Sequence, residues 1–276
     1  MNQKASTVQA DSLGLAHSQK WQHPGFELIE FKSKKTKYCL IVFVLNEQGR
    51  LQNQLKKMQP LRDLIDLVLA DGGSTDGCNQ PESLFQFGLS SLLIKRGSGK
   101  LGAQMRMAFA YAMNAGYEGV VVVDGNDKDD VAQGLPLFIR KLEEGFDHIQ
   151  GSRFIAGGYH QNTPLMRFLG VRLLHAPLMS LATWKVQTDT TNGFRAYSQK
   201  LLCHPEVNIF RNLLSGYELH YHLAFWSCKI QGFKITEVPV TRVYPKGLAP
   251  PTKIKGFKGN FDIIKKLLWV CSGGTK

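Results

Sequence analysis

No stretch of this sequence holds about 18 apolar residues in a row, so nothing in it is expected to cross a membrane. The opening MNQKASTVQADSLGLAHSQK has no apolar centre and no small-residue cleavage site, so it is not expected to act as a secretory signal. Cysteine is sparse: Cys39, Cys78, Cys203, Cys228 and Cys271, with no C-x-x-C pair. An odd, widely spaced set argues against a disulfide framework and for reduced thiols in a cytosolic setting. Internal repeats and low-complexity tracts are missing too. Acids are in short supply: 22 Asp and Glu against 34 Lys and Arg leave a formal net charge of +12. That balance suits polyanionic partners, whether nucleic acid, an anionic membrane surface or phosphorylated ligands.

The 276 residues, 43% of them hydrophobic, suffice for one large α/β domain or two small ones. Residues 1–30 are polar and weakly patterned and read as a loose arm or a short helix. Lysines crowd both ends: Lys32, Lys34, Lys35 and Lys37 before the first strand, then Lys246, Lys253, Lys255, Lys258, Lys265 and Lys266. They read either as solubilising tails or as contacts to anionic lipid.

From Tyr38 the pattern alternates. Strands are expected at 38–45, 64–71, 90–95, 118–124 and 147–154, with helices at 47–58, 101–116 and 131–145, the last interrupted by Pro136. Such alternation implies βαβ units and a mostly parallel sheet. Ligands of these sheets sit beyond the carboxyl ends of the strands. Asn46, Glu47, Asp71, Arg96, Asp124 and Arg153 all end or follow a strand and fall near that rim. Later come a long apolar segment punctuated by Arg at 163–184, a turn-rich stretch at 188–197, a helix over 212–232 and a strand-like run at 233–243.

Three stretches carry candidate chemistry. RGSGKLG (96–102) contains G-x-G-x-x-G between a strand and a helix, flanked by Arg96 and Lys100, with Asp124 about twenty residues on. A dinucleotide fold places its ribose-binding acid there, so a nicotinamide-dependent oxidoreductase is one alternative. The motif follows the third strand rather than the first, which counts against it. A P-loop is excluded because Leu follows Lys100. In ADGGSTDG, Asp71 either binds a nucleoside or lies in a turn whose Ser74 or Thr75 caps a helix. VVVDGNDKDDV sets Asp124, Asp127, Asp129 and Asp130 around Asn126, either as a solvated acidic turn or as an oxygen site for Mg²⁺ or Mn²⁺ shared with a diphosphate. Asp129 and Asp130 are better placed to start the next helix. His220 and His222, two apart on a helix, face different sides and read as structural.

In order, VLNE, ADGGSTDG, KLGAQMRMAF, VVVDGNDKDD, GSRF, DTTNGFRAY and SGYELHYHL…GFKITEVPV resemble glycosyltransferase family 2, over about residues 38–243. The chain looks most like the dolichyl- or polyprenyl-phosphate hexose synthase branch. The resemblance implies a GT-A (Rossmann-like) single domain, α/β, with a mostly parallel central sheet flanked by helices. Its nucleotide half would span about 38–130 and its acceptor half about 131–243, between a basic arm (1–37) and a basic tail (244–276). It implies an inverting enzyme that moves a hexose from a nucleotide-sugar to a polyprenyl-phosphate or lipid-linked glycan in cell-envelope or surface polysaccharide synthesis. The enzyme would be peripheral at the cytoplasmic membrane face, held by its basic segments, with no nucleic acid among its partners.

The same resemblance implies roles for residues. Asn46, Glu47, Asp71, Arg96, Lys100 and Asp124 would hold the donor. Asp124 would bind the metal, with Asn126 by register or Asp127 by charge as second ligand. Arg153, Arg167 and Arg172 would receive the acceptor phosphate, and Asp189 and Arg195 belong to a shared block. Glu218 falls where relatives that glycosylate hydroxyls keep their base, while a phosphate acceptor needs none. With an Asn where the second acid stands, a non-catalytic nucleotide-sugar or lipid-binding protein is a further alternative.

Overall fold

A computed structural model describes the backbone of residues 5–8, 21–245 and 256–276, and the side chains of 21–245 and 261–276. In chain order, β1 (Ala5–Val8), β2 (Phe26–Glu30), β3 (Tyr38–Val44), α1 (Gln48–Met58), β4 (Asp66–Asp71), α2 (Pro81–Leu84), β5 (Ser91–Lys95), α3 (Leu101–Asn114) and β6 (Gly119–Asp124) come first. They are followed by α4 (Val131–Glu143), β7 (His148–Ser152), β8 (Tyr159–Gln161), α5 (Leu165–Leu169), α6 (Ala176–Thr183), β9 (Arg195–Ser198), α7 (Gln199–Leu202), α8 (Glu218–Lys229), β10 (Ile235–Pro239), β11 (Thr241–Val243) and α9 (Gly256–Cys271).

Nine strands form one sheet in the order β1-β2-β5-β4-β3-β6-β9-β7-β10. Only β2 and β9 oppose the common direction. The sheet is therefore mostly parallel, and helices cover both of its faces. Central strands of such a sheet are buried on both sides, which is why β3 (YCLIVFV) and β6 (GVVVVD) are almost continuously apolar. Cys39, Ile41 and Phe43 point toward α3 and α8, while Leu40, Val42 and Val44 point toward α1 and α4. This alternation is the strand period of two.

Four expectations change. Residues 26–30 are a sheet strand rather than a loose arm, hydrogen-bonded antiparallel to β5. Helix α4 runs through Pro136, which lies on its exposed face; the ring removes one backbone bond, and burial of Val131, Leu135, Phe138 and Leu142 holds the rest. The helix expected over 212–232 begins only at Glu218 and stops at Lys229. Residues 256–271 are no tail: α9 packs on α6 and α8 through Leu267 and Val270. Lys246, Lys253, Lys255 and the Lys258 side chain lie outside the described residues. Of the first lysine group, Lys32 and Lys34 donate to loop carbonyls and Lys37 pairs with Glu118 at 3.1 Å.

A π-helical turn, Gly170–His175, joins α5 to α6. The resulting helix, Leu165–Thr183, is long and apolar enough to span a bilayer. However, Val171, His175, Ala176, Met179 and Thr183 are buried against the protein.

Candidate active site

At the carboxyl ends of β3 to β6 lies a cavity of about 540 Å³. Its floor follows from backbone ties. Gln104 of α3 donates to the carbonyls of Val44 (3.0 Å) and Ala70 (2.7 Å), fixing the ends of β3 and β4. Asn46, in the left-handed region at φ 52°, joins the two loops: its amide donates to Ser74 Oγ at 2.9 Å, and its side-chain oxygen accepts from Thr75 N at 2.8 Å. Asn46 therefore shapes the rim instead of lining it. Glu47 does line the cavity and pairs with Arg50 at 3.0 Å.

Asp71 was expected on the donor and is instead consumed by its own turn. It is fully buried and accepts from the amides of Gly73 (2.9 Å) and Ser74 (3.0 Å), from Ser74 Oγ and from Asn79 Nδ2 (3.0 Å). Arg96 also misses the cavity, turning outward to pair with Glu27. Lys95 and Lys100 supply the cationic wall on that side.

The glycine motif has a structural cause that rules out the dinucleotide reading. Two amides at the start of α3 are already engaged: Lys100 N and Ala103 N both donate to Ser215 O at 3.1 Å. A Cβ on Gly102 would stand 2.5 Å from Gly216 O and 2.6 Å from Leu214 O. Gly102 lets the 214–216 backbone close over the helix end, where a pyrophosphate would otherwise bind.

β6 delivers Asp124 to the cavity, with Asn126 beside it. Asn126 Nδ2 lies 3.4 Å from Asp124 Oδ2, and Asn126 Oδ1 is buried with no hydrogen-bond partner among the described residues. Asp127 points elsewhere: with φ 55°, it pairs with Lys57 of α1 at 2.8 Å. A carboxylate and an orphaned amide oxygen on one wall fit Mg²⁺ or Mn²⁺, hard cations that take oxygen ligands and leave room for phosphate. Of the two expected second ligands, Asn126 lies beside Asp124 on the cavity wall and Asp127 does not. Of the remaining acids, Asp130 caps α4, accepting from Gln133 N at 3.0 Å. Asp129 does not: it is buried and paired with Arg242 at 2.5 Å.

Arg242 escaped the sequence reading. It stands on β11 between Asp129 and Asp124, 3.5 Å from Asp124 Oδ2, and faces the cavity. Burial works against its charge, but Asp129, Tyr244 and Asp124 outweigh it and raise its pKa. Lys128, also on the wall, is pushed down to about 8, by burial first and then by Arg242. The available signal was a charge set between Val240 and Val243 on a strand-like run.

The three acceptor arginines do not converge. Arg167 reaches the main cavity, its Nη1 donating to Tyr244 Oη at 3.2 Å. Arg153 and Arg172 instead line a neighbouring open groove with Phe154 and Phe168. Arg153 forms a buried fork with Asp189, Nε–Oδ2 2.6 Å and Nη2–Oδ1 2.9 Å, which explains the shared block containing Asp189. Arg195 is also structural, donating to the carbonyls of Thr190, Asn192 and His220. His222, as expected, is structural and bonds Val207 O at 2.6 Å. Glu218 is buried off the cavity wall, accepting from Gly216 N and pairing with Lys266 at 3.0 Å. Lys266, Asp262 and Ile263 of α9 close the cavity.

Relatives have matching sequence along this frame. Over 205 residues the chain is 23% identical to a polyprenol monophosphomannose synthase of Mycolicibacterium smegmatis, covering 73% of this chain and 76% of that one. Over 152 residues it is 29% identical to a dolichyl-phosphate hexose transferase of Haloferax volcanii, covering 55% of this chain and 61% of that one. The fold is similar to glucosyl-3-phosphoglycerate synthase from Mycobacterium tuberculosis, crystallised with Mg²⁺ and UDP, with a TM-score of 0.61 at 17% identity over 86% of this chain and 79% of that one. The chain has the GT-A fold and resembles these glycosyltransferases in sequence. No family model matches it.

Proposed function

We propose that this glycosyltransferase is an inverting, divalent-metal-dependent hexosyltransferase. It would pass a hexose from a nucleoside-diphosphate sugar to a polyprenyl-phosphate or lipid-linked glycan at the cytoplasmic face of a membrane, in surface polysaccharide synthesis. The observation that carries this reading is the charge of the cavity: Lys95, Lys100, Lys128, Arg167, Arg242 and Lys266 against Glu47, Asp124 and Asp262. An excess of cations around a carboxylate–amide pair suits a diphosphate.

Transfer breaks the bond between the anomeric carbon and the diphosphate oxygen, and the electron pair leaves with the diphosphate. The acceptor oxygen bonds to the opposite face of that carbon, so its configuration inverts. Lys128, Arg242 and Lys100 stabilise the charge growing on the leaving group. Asp124 and Asn126 would hold the divalent ion, which supplies further positive charge there. Arg167 orients an anionic acceptor and lowers its repulsion with the donor. A phosphate oxygen arrives ionised and needs no base, consistent with Glu218 being engaged elsewhere.

Membrane docking would fall to the segment 165–186. Leu165, Met166, Leu173, Leu181, Trp184 and Val186 are exposed along it, each at least 66% accessible. With its opposite face buried in the protein, this helix suits the bilayer surface better than its interior.

The test is transfer of labelled hexose from a panel of nucleotide-sugars to polyprenyl-phosphate in anionic vesicles with Mn²⁺. Wild type is expected to transfer from one donor, with Asp124→Ala at least a hundredfold slower. Unchanged turnover in Asp124→Ala sinks the metal assignment.

A further inference from the structure

Helix α9 is anchored along one face and just beyond its end. Leu267 and Val270 share an apolar cluster with Met179 of α6 and Tyr221 and Phe225 of α8. Just beyond the helix, Thr275 is fully buried, its hydroxyl 2.9 Å from His222 Nδ1 and 3.3 Å from Trp226 Nε1. The register of α9 is thereby set, and it places Lys266 on the cavity wall.

Lys266 Nζ stands 3.0 Å from Glu218 Oε2 and 3.4 Å from Asp262 Oδ2. Glu218 opens α8 directly after Tyr217, which lines the cavity, yet its own carboxylate is 5% exposed and off the wall. The ammonium of Lys266 is both on the wall and on the carboxylate. The pair is packed tightly, since a Cβ on Gly216 would meet Glu218 Oε2 at 2.8 Å and Lys266 Nζ at 2.9 Å.

We propose that Lys266 is a specificity-determining positioning residue: by holding Glu218 in an ion pair it withholds a base from the cavity. The site then glycosylates acceptors whose attacking oxygen is already ionised, and spares hydroxyls and water. This deepens the transferase reading above and rests on it. The withheld reaction balances as follows for water. Its oxygen bonds to the anomeric carbon, the bond to the diphosphate breaks with its electron pair leaving on the diphosphate, and the water proton goes to Glu218. Such a transfer would neutralise Glu218 beside a charged ammonium and break the pair. Lys266 stays protonated: burial opposes its charge, and Glu218 and Asp262 more than offset that, raising its pKa.

The experiment measures nucleoside diphosphate released from nucleotide-sugars with Mn²⁺ and no acceptor, across pH, alongside nucleotide binding by calorimetry. Lys266→Met is expected to hydrolyse the donor on the order of ten- to a hundredfold faster than wild type, rising with pH through one ionisation. Glu218→Gln in that background, and Lys266→Arg alone, are each expected to return the rate to the wild-type level. A folded Lys266→Met that binds nucleotide but hydrolyses no faster overturns the inference and leaves the donor reading standing. So does a gain that survives Glu218→Gln. If neither wild type nor variants bind or cleave any nucleotide-sugar, both readings fall together. Should Lys266→Met not fold, Lys266→Gln is measured with the same two outcomes.

Discussion

Replacing Asn126 with Asp should make the protein less stable without metal and more responsive to it. The Asn126 amide nitrogen sits 3.4 Å from Asp124 Oδ2, and its oxygen is a buried acceptor with no described donor. An aspartate there would put a second negative charge at about the same separation. Two unit charges that close repel by about 5 kcal/mol at an effective dielectric of about 20. The Asp124 side chain is 26% exposed and Arg242 stands 3.5 Å away, so screening should leave about 1–2 kcal/mol. Spread over a domain of this size, that is a fall of roughly 2–4 °C in Tm. Bound Mn²⁺ removes the repulsion, and at about a hundred times its Kd it stabilises by about 2.7 kcal/mol. Differential scanning fluorimetry with a Mn²⁺ titration, with and without UDP or GDP, reads both effects. Asn126→Asp should melt below wild type in chelator and shift further upward with Mn²⁺. Equal melting in chelator together with an equal Mn²⁺ response would refute the placement of these two side chains as a shared oxygen site.

Arg242→Met leaves the buried Asp129 carboxylate without its guanidinium and should cost about 3–5 kcal/mol; adding Asp129→Asn should recover more than half, read as a double-mutant cycle in urea. Gly102→Ala drives a methyl into the 214–216 backbone and should cost about 1–3 kcal/mol, with no effect of NADH on the melting curve of either protein. Stability should fall under acid. Burial holds His148 down to about 3, with Arg195 adding to it, and burial holds His222 down to about 4. Below about pH 6.5 the unfolded chain takes up protons that the folded one refuses. Each histidine then removes about 1.4 kcal/mol per pH unit until its folded pKa is reached. Chemical denaturation at pH 7.5, 6 and 5 checks this; a flat profile for His222→Asn and wild type alike would contradict the assigned burial.

Much of the fold was legible from Tyr38 onward because its central strands are buried on both faces, and Tyr38–Val44 and Gly119–Asp124 leave an unbroken apolar signature. Phe26–Glu30 was not, since two of its five residues are acidic and its strand form depends on pairing with β5 and β1. At the site, the place of Asp124 at a strand end was readable, and the structure sets it on the cavity wall. Asp71 and Glu218 misled because a carboxylate at a strand or helix end looks the same whether it faces a ligand or its own loop. The deciding neighbours, Ser74 and Asn79 for one and Lys266 for the other, are matters of side-chain direction and long-range packing. Arg242 offered only a charge between two valines, and its partners Asp124 and Asp129 lie more than a hundred positions away.

The sheet is complete in sequence by Val243, while the helix that closes the cavity follows at Gly256–Cys271. Chains fold from the amino terminus as they are made. A nascent chain therefore passes through a stage in which Asp124, Asn126, Lys95 and Lys100 are already made and the helix carrying Lys266 is not. Closure of the cavity is thus separable from assembly of the sheet: loosening α9 would open the wall formed by Asp262, Ile263 and Lys266 and leave the strand ends in place.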